Sequence, residues 1–417
     1  MSEDSERHKQ APRLSRRRLL TVLSSASAMA LLAACRPRML DPTPTPTRTP
    51  RGPTPSGTPS PRATWTPSAT ATSPVLTLSG TPTLEPTEPP TSTPTPTATP
   101  FPPGPPTKLG LVITRNDPRV FDLLATGNVA TICTLEYDPN FATDIRAASP
   151  NTLLIGRITL PQLDLAKLTD PEGAAQAFAQ QLLPIATEPR RLAAFDGWQA
   201  YNEPVVVDGE QMARLARFEA ARTRALAEAG VRSVIGNFGA GNPDLALWPQ
   251  FRPALEAAMQ YEGYLGLHEY SAPTMQHGTP QDPLGWDADP AQEGWLTLRY
   301  RKAYRGYLEP NGLVLPLILT EVGIDGMVAN RPGPPGKGWQ DFAGYWDELG
   351  MGSDAPGNYM EQLAWYDANL QQDDYVRGAA IFVGAASPGW ESYEILGDER
   401  VEPFLAQYLR VHPVKGS

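Results

Sequence analysis

The chain has 417 residues, a formal net charge of -10 and 41% hydrophobic side chains, with a pI near 5.1. That acidic balance excludes a nucleic-acid binder, because a phosphate backbone needs a concentrated basic face. Two cysteines in unrelated contexts, Cys35 and Cys133, exclude a disulfide framework.

The first 35 residues read as an address. Ser15-Arg16-Arg17-Arg18-Leu19-Leu20 sets paired arginines before an apolar segment, Leu19 to Ala34, which is too short and too rich in Ala and Ser for a comfortable membrane span. It is an export signal whose arginine pair resembles a twin-arginine signal; the basic start of a general secretory signal is the alternative. Leu32-Ala33-Ala34-Cys35 resembles a bacterial lipobox, which implies cleavage before Cys35 and lipidation there. Buried acyl chains then contribute ~0.8 kcal/mol per methylene and hold the protein to the outer face of the membrane, at the cell surface. An uncleaved signal anchor is the other reading.

Residues 36–106 form a Pro/Thr-rich linker: 22 of the 47 prolines fall between Pro37 and Pro106, in repeats such as Pro42-Thr43-Pro44-Thr45-Pro46-Thr47. Such a segment lacks the apolar periodicity of a core and is expected to be disordered and extended, at up to ~3.1 Å per residue. What remains, residues 107–417, is roughly 310 residues, enough for a single domain of α/β-barrel size.

That domain carries apolar, β-branched runs of strand length at a regular interval: Leu109–Thr114, Val129–Leu135, Thr152–Ile158, Gly197–Asn202, Ser233–Phe238, Gly263–His268, Val314–Thr320 and Gly378–Val383. Helical patterns separate them, short at Asp117–Thr126 and Asn140–Ala148, longer at Ala174–Leu183, Gly209–Ala229, Leu255–Tyr261, Leu296–Leu308 and Asn358–Gln371. Continuous apolar strands alternating with helices predict a parallel sheet covered on both faces, and eight right-handed repeats close it into a (β/α)8 TIM barrel. An open doubly wound sheet fits less well, since Thr114-Arg115-Asn116-Asp117-Pro118 stands where a Gly-rich phosphate turn would follow the first strand.

In a barrel of this kind reacting groups sit at the C-terminal ends of strands. Glu203 follows the fourth run, in Gln199-Ala200-Tyr201-Asn202-Glu203-Pro204, and Glu321 follows the seventh, in Leu317-Ile318-Leu319-Thr320-Glu321. Two carboxylates facing each other across a mouth suit glycoside cleavage, one protonating the leaving oxygen and one stabilising or attacking the anomeric carbon. The order Asn202-Glu203-Pro204, His268-Glu269-Tyr270 and Thr320-Glu321 resembles the retaining clan A glycoside hydrolases, cellulase-like and mannanase-like families included. The resemblance implies that Glu203 is the general acid/base and Glu321 the nucleophile. It further implies that Asn202 meets the sugar 2-hydroxyl and that His268 and Tyr270 orient the carboxylates and the sugar.

The chain departs from that pattern twice. The second strand ends on Cys133-Thr134-Leu135-Glu136 without the family's arginine, for which Arg115 or Arg157 is the substitute; the eighth carries Phe382 where a tryptophan usually floors the sugar site, with Trp390 as its stand-in.

Long loops after the sixth and seventh runs hold Trp286, Trp295, Trp339, Tyr345 and Trp346, aromatic platforms for sugar rings or ordinary loop cores. His277 reads as a solvated loop residue and Cys133 as a buried small hydrophobe. Four histidines and no His-x-His on the first strand leave no metal site or other cofactor expected. The expectation is a monomeric, surface-anchored retaining hydrolase of a β-linked poly- or oligosaccharide. The alternatives are a non-catalytic glycan-binding lipoprotein with a degenerate site and, more remotely, a two-lobed solute-binding lipoprotein.

Overall fold

The computed structural model describes residues 100–285 and 293–414. The export signal, Cys35, residues 36–99 of the linker and Trp286 lie outside the described residues. Eight strands, β1 (Leu109–Ile113), β2 (Thr131–Thr134), β3 (Leu153–Gly156), β4 (Gly197–Gln199), β5 (Ser233–Phe238), β6 (Tyr264–Ser271), β7 (Leu317–Ile324) and β8 (Val376–Ala385), pair in chain order, and β8 closes on β1. Every pairing is parallel, so the (β/α)8 barrel is the observed fold. Val112, Cys133, Ile155, Val234, Tyr264, Ile318 and Ala380 belong to one buried apolar cluster that draws on seven of the strands. A second, larger cluster joins the sheet to its helices.

The helices begin where local chemistry satisfies their first N–H groups. In α2 (Pro139–Ala148), α3 (Pro171–Ala186) and α4 (Pro189–Ala194) an acid at the cap, Asp138, Asp170 or Glu188, accepts from a first-turn N–H and is followed by proline. Proline there has no N–H to leave unpaired and its φ is preset for the turn. Asp208 caps α5 (Gly209–Ala227) and Asp354 caps α9 (Ala355–Leu370), each side chain accepting from a first-turn N–H. The other helices are α1 (Val120–Leu124), α6 (Trp248–Gln260), α7 (Tyr300–Ala303), α8 (Ala343–Glu348) and α10 (Val401–Val411).

Several elements differ from the sequence expectation. Helix α6 starts at Trp248, not Leu255: Pro249 falls in its first turn, where proline is tolerated, and Pro253 is accommodated in its interior although it reads as a breaker in the sequence. Helix α7 starts at Tyr300, not Leu296, and passes into a π turn over Tyr304–Leu308; the buried Glu269 accepts from Leu298 N and Tyr300 N, both at 2.7 Å, and fixes the start. Strands β6 and β7 run past the barrel rim to Ser271 and Ile324, paired as far as Ser271↔Ile324. Residues 100–106, at the end of the linker segment, lie along α10: Phe101 meets Tyr408 edge-on at 5.2 Å and Gly104 N donates to Val411 O at 3.0 Å.

Candidate active site

Beyond Gln199 the fourth strand leaves the ladder. Tyr201 anchors the departing segment against Phe178 and Phe218, with ring centroids at 5.8 Å and 5.5 Å. Glu203 then adopts φ +43°, a left-handed conformation that costs a non-glycine residue about 1 kcal/mol or more. Both of its backbone polar groups are held: its N–H donates to Asn237 O at 3.1 Å and its carbonyl accepts from Gln162 Nε2 at 2.9 Å. The side chain rests on Gly239, where a methyl group would come within 3.0 Å of the Glu203 carboxyl.

Glu321 is placed differently, inside β7 rather than at its end. After an irregularity at Leu267/His268 it pairs directly with His268 on β6. Its carboxylate receives Tyr270 OH at 2.7 Å and Arg157 Nη1 at 2.8 Å. Arg157, one residue past β3, also donates to Asn202 Oδ1. His268 joins the two acids: its Nδ1 lies 2.9 Å from Glu203 Oε1 and 3.5 Å from Glu321 Oε2. The donor atoms of Glu203, His268 and Glu321 all lie within 4.8 Å of one another.

Burial pushes the Glu321 carboxyl upward, but the adjacent His268 ring, the positive charge of Arg157 and the bonds from Tyr270 and Arg157 outweigh it and hold the group below the usual glutamate range. Burial and the neighbouring Glu321 drive the Tyr270 hydroxyl well above its ordinary value, so it stays a donor. Nearby Asp325 is pushed up to about 6, by burial and also by repulsion from Glu203, against bonds from Met327 N and Tyr393 OH. Burial raises the Cys133 thiol to about 12, which makes it inert. Glu203, His268 and Glu321 are the described trio whose donor atoms come close enough to share a cation. Arg157 already supplies positive charge at Glu321, and His268 meets both acids through one nitrogen, the geometry of an N–H donor rather than of a ligand set.

Of the residues singled out in the sequence, Asn202, Glu203, His268, Tyr270 and Glu321 come together. Trp390 is buried and stands one ring away: Phe382 lies between it and Tyr270, edge-on to each at 5.3 Å and 6.0 Å. Arg115 is engaged elsewhere, with Asp117, Glu394 and the carbonyl of Ala386, and Arg157 takes the place beside Glu321. His277 pairs with Asp282 at 3.0 Å. Trp339 stacks on Tyr359 and Trp346 donates to Pro273 O, so both are loop core, whereas Trp295 is 52% exposed. Gln162, Gly239 and Asp325 carried no signal in the sequence beyond their positions after strands, and Asn237 none beyond its place in the fifth run.

No family model matches the chain, and no curated protein matches it. Among solved structures it is similar to a GH128 endo-β-1,3-glucanase from Amycolatopsis mediterranei in complex with laminaritriose, at 16% identity over 73% of this chain and 98% of that one, TM-score 0.40. A GH128 endo-β-1,3-glucanase from Sorangium cellulosum matches at 17% identity over 74% and 100%, TM-score 0.43. Ruminococcus gnavus β-glucuronidase matches at 12% identity over 72% of this chain and 49% of that one, TM-score 0.45. Both kinds are clan A (β/α)8 glycoside hydrolases. Likeness of this degree carries no argument about activity, and the site is read from its own geometry.

Proposed function

We propose that this chain is a retaining glycoside hydrolase acting on a β-linked poly- or oligosaccharide. The observation that carries the proposal is the approach of two differently held carboxylates to within 4.8 Å, with one histidine nitrogen between them. Retention calls for carboxyl groups ~5 to 5.5 Å apart, whereas inversion needs ~6.5 to 9.5 Å to admit a water. Glu321, kept ionised by Arg157, attacks the anomeric carbon as Glu203 gives its proton to the glycosidic oxygen. The glycosyl ester that forms on Glu321 is released by water, from which Glu203 takes a proton. Asn202, its amide oxygen on Arg157, offers its nitrogen to a sugar hydroxyl, and Tyr270 steadies the nucleophile.

The proposal includes the location: export directed by Arg16-Arg17, lipidation at Cys35 and a Pro/Thr linker holding the barrel outside the membrane. Release of soluble protein by Cys35→Ala tests this part. The chemistry is tested on β-glucans, mannans, xylans and galactans by following reducing ends, and by proton NMR of the first-formed product. A β-anomer appearing first supports the proposal, an α-anomer first refutes retention, and binding without release of reducing ends refutes catalysis.

A further inference from the structure

His268 meets both carboxylates through Nδ1, so its other nitrogen must be satisfied on the far side of the ring. The side chain is 0% exposed, and Nε2 has no hydrogen-bond partner among the described residues. Trp248, the first residue of α6, is 2% exposed and its indole Nε1 is in the same condition. Both residues line one small cavity behind β6, together with Asn242, Glu269, Arg299 and Tyr300. Each unsatisfied buried polar group costs about 1 to 3 kcal/mol. The cavity has room for about one water molecule.

Donor and acceptor chemistry decides how such a water sits. Facing carboxylates, Nδ1 carries the proton, and a neutral imidazole then presents Nε2 as an acceptor. The indole N–H is a donor only. One water satisfies both, accepting from Trp248 and donating to His268. An imidazolium would instead make the water accept twice and leave both of its own protons to find acceptors in the cavity, where the carboxylate, Glu269, already takes Leu298 N and Tyr300 N at 2.7 Å and Tyr366 OH at 2.6 Å. Arg299 adds only further donors, one of them given to Pro243 O at 2.8 Å.

We propose that this cavity binds one structural water bridging Trp248 Nε1 to His268 Nε2, and that Trp248 is thereby a positioning residue that holds His268 in its neutral Nδ1–H form between Glu203 and Glu321. The effect on turnover rests on the glycoside-hydrolase reading; the water and the tautomer do not.

The test is a high-resolution crystal structure of the full chain and of Trp248→Phe, with ring-nitrogen NMR of His268 in both and steady-state kinetics. The wild type is expected to show a water within hydrogen-bond distance of both nitrogens and a protonated Nδ1 beside an unprotonated Nε2. In Trp248→Phe the Nε2 signal moves, and kcat falls about tenfold with KM little changed. No water in the wild-type cavity, an imidazolium spectrum, or a folded Trp248→Phe with unaltered His268 signals and kcat overturns the proposal. If the variant does not fold, the wild-type density and spectrum decide alone. Those two readouts need no turnover, so an inactive wild type overturns the hydrolase reading and not this one.

Discussion

Glu203 and Glu321 meet across one mouth, yet their backbones have little in common. Glu203 lies four residues past the three-residue strand β4, in a left-handed turn, its carboxylate resting on a glycine and bonded to His268. Glu321 lies within the eight-residue strand β7, paired with β6, its carboxylate bound by an arginine and a tyrosine. On the proposed mechanism the acid/base, Glu203, is placed by contact and has few donors, whereas the nucleophile, Glu321, is built into the sheet and has several. Different proposed roles for two chemically identical side chains match their different supports.

The sharpest way to break this comparison is to neutralise the better-supported acid. Glu321→Gln is expected to lower kcat by about 10⁴-fold or more while leaving substrate binding measurable by calorimetry; full activity would refute its role. Glu203→Gln is expected to cost about 10² to 10⁴-fold on a natural glycoside, the range for a positioned acid/base. It should cost much less in the first step on an aryl glycoside whose leaving group needs no proton, which stopped-flow kinetics can separate.

Arg157→Met tests what keeps the proposed nucleophile, Glu321, charged. Arg157 holds the Glu321 carboxyl down, so its loss raises that pKa, and the acid limb of the kcat/KM profile should move to higher pH. At neutral pH activity should fall by about 10 to 100-fold, within the range for a charged hydrogen bond; an unmoved acid limb would show that another group sets it. The smallest expected change is Gly239→Ala, whose methyl group must displace the Glu203 carboxyl. A loss of about tenfold in kcat with little change in melting temperature would show that the glycine acts as a seat; unchanged kcat would show that the side chain shifts freely.

The eight strands were legible because each is a mainly apolar run of strand length, and the parallel closed barrel follows from their alternation with helices. Their lengths were not: strand β4 ends at Gln199 although Ala200 and Tyr201 continue the apolar pattern, because that pattern records burial against Phe178 and Phe218 and not pairing. The two carboxylates stood out as single acids closing apolar runs. Arg157 was visible as a candidate beside Arg115, but the choice between them depends on where β3 and β1 deliver their last side chains, which no local spacing encodes. Glu269 stands between two site residues in the sequence and turns outward to set the start of α7; alternation along β6 puts it on the opposite face from His268 and Tyr270.

That alternation leaves His268 with a duty beyond bonding. One ring atom lies 2.9 Å from one carboxylate and 3.5 Å from the other, so it works as a calliper jaw, and the gap between the acids cannot be opened from either glutamate alone. Any redesign of this barrel toward the wider spacing of an inverting enzyme has to begin by replacing the histidine.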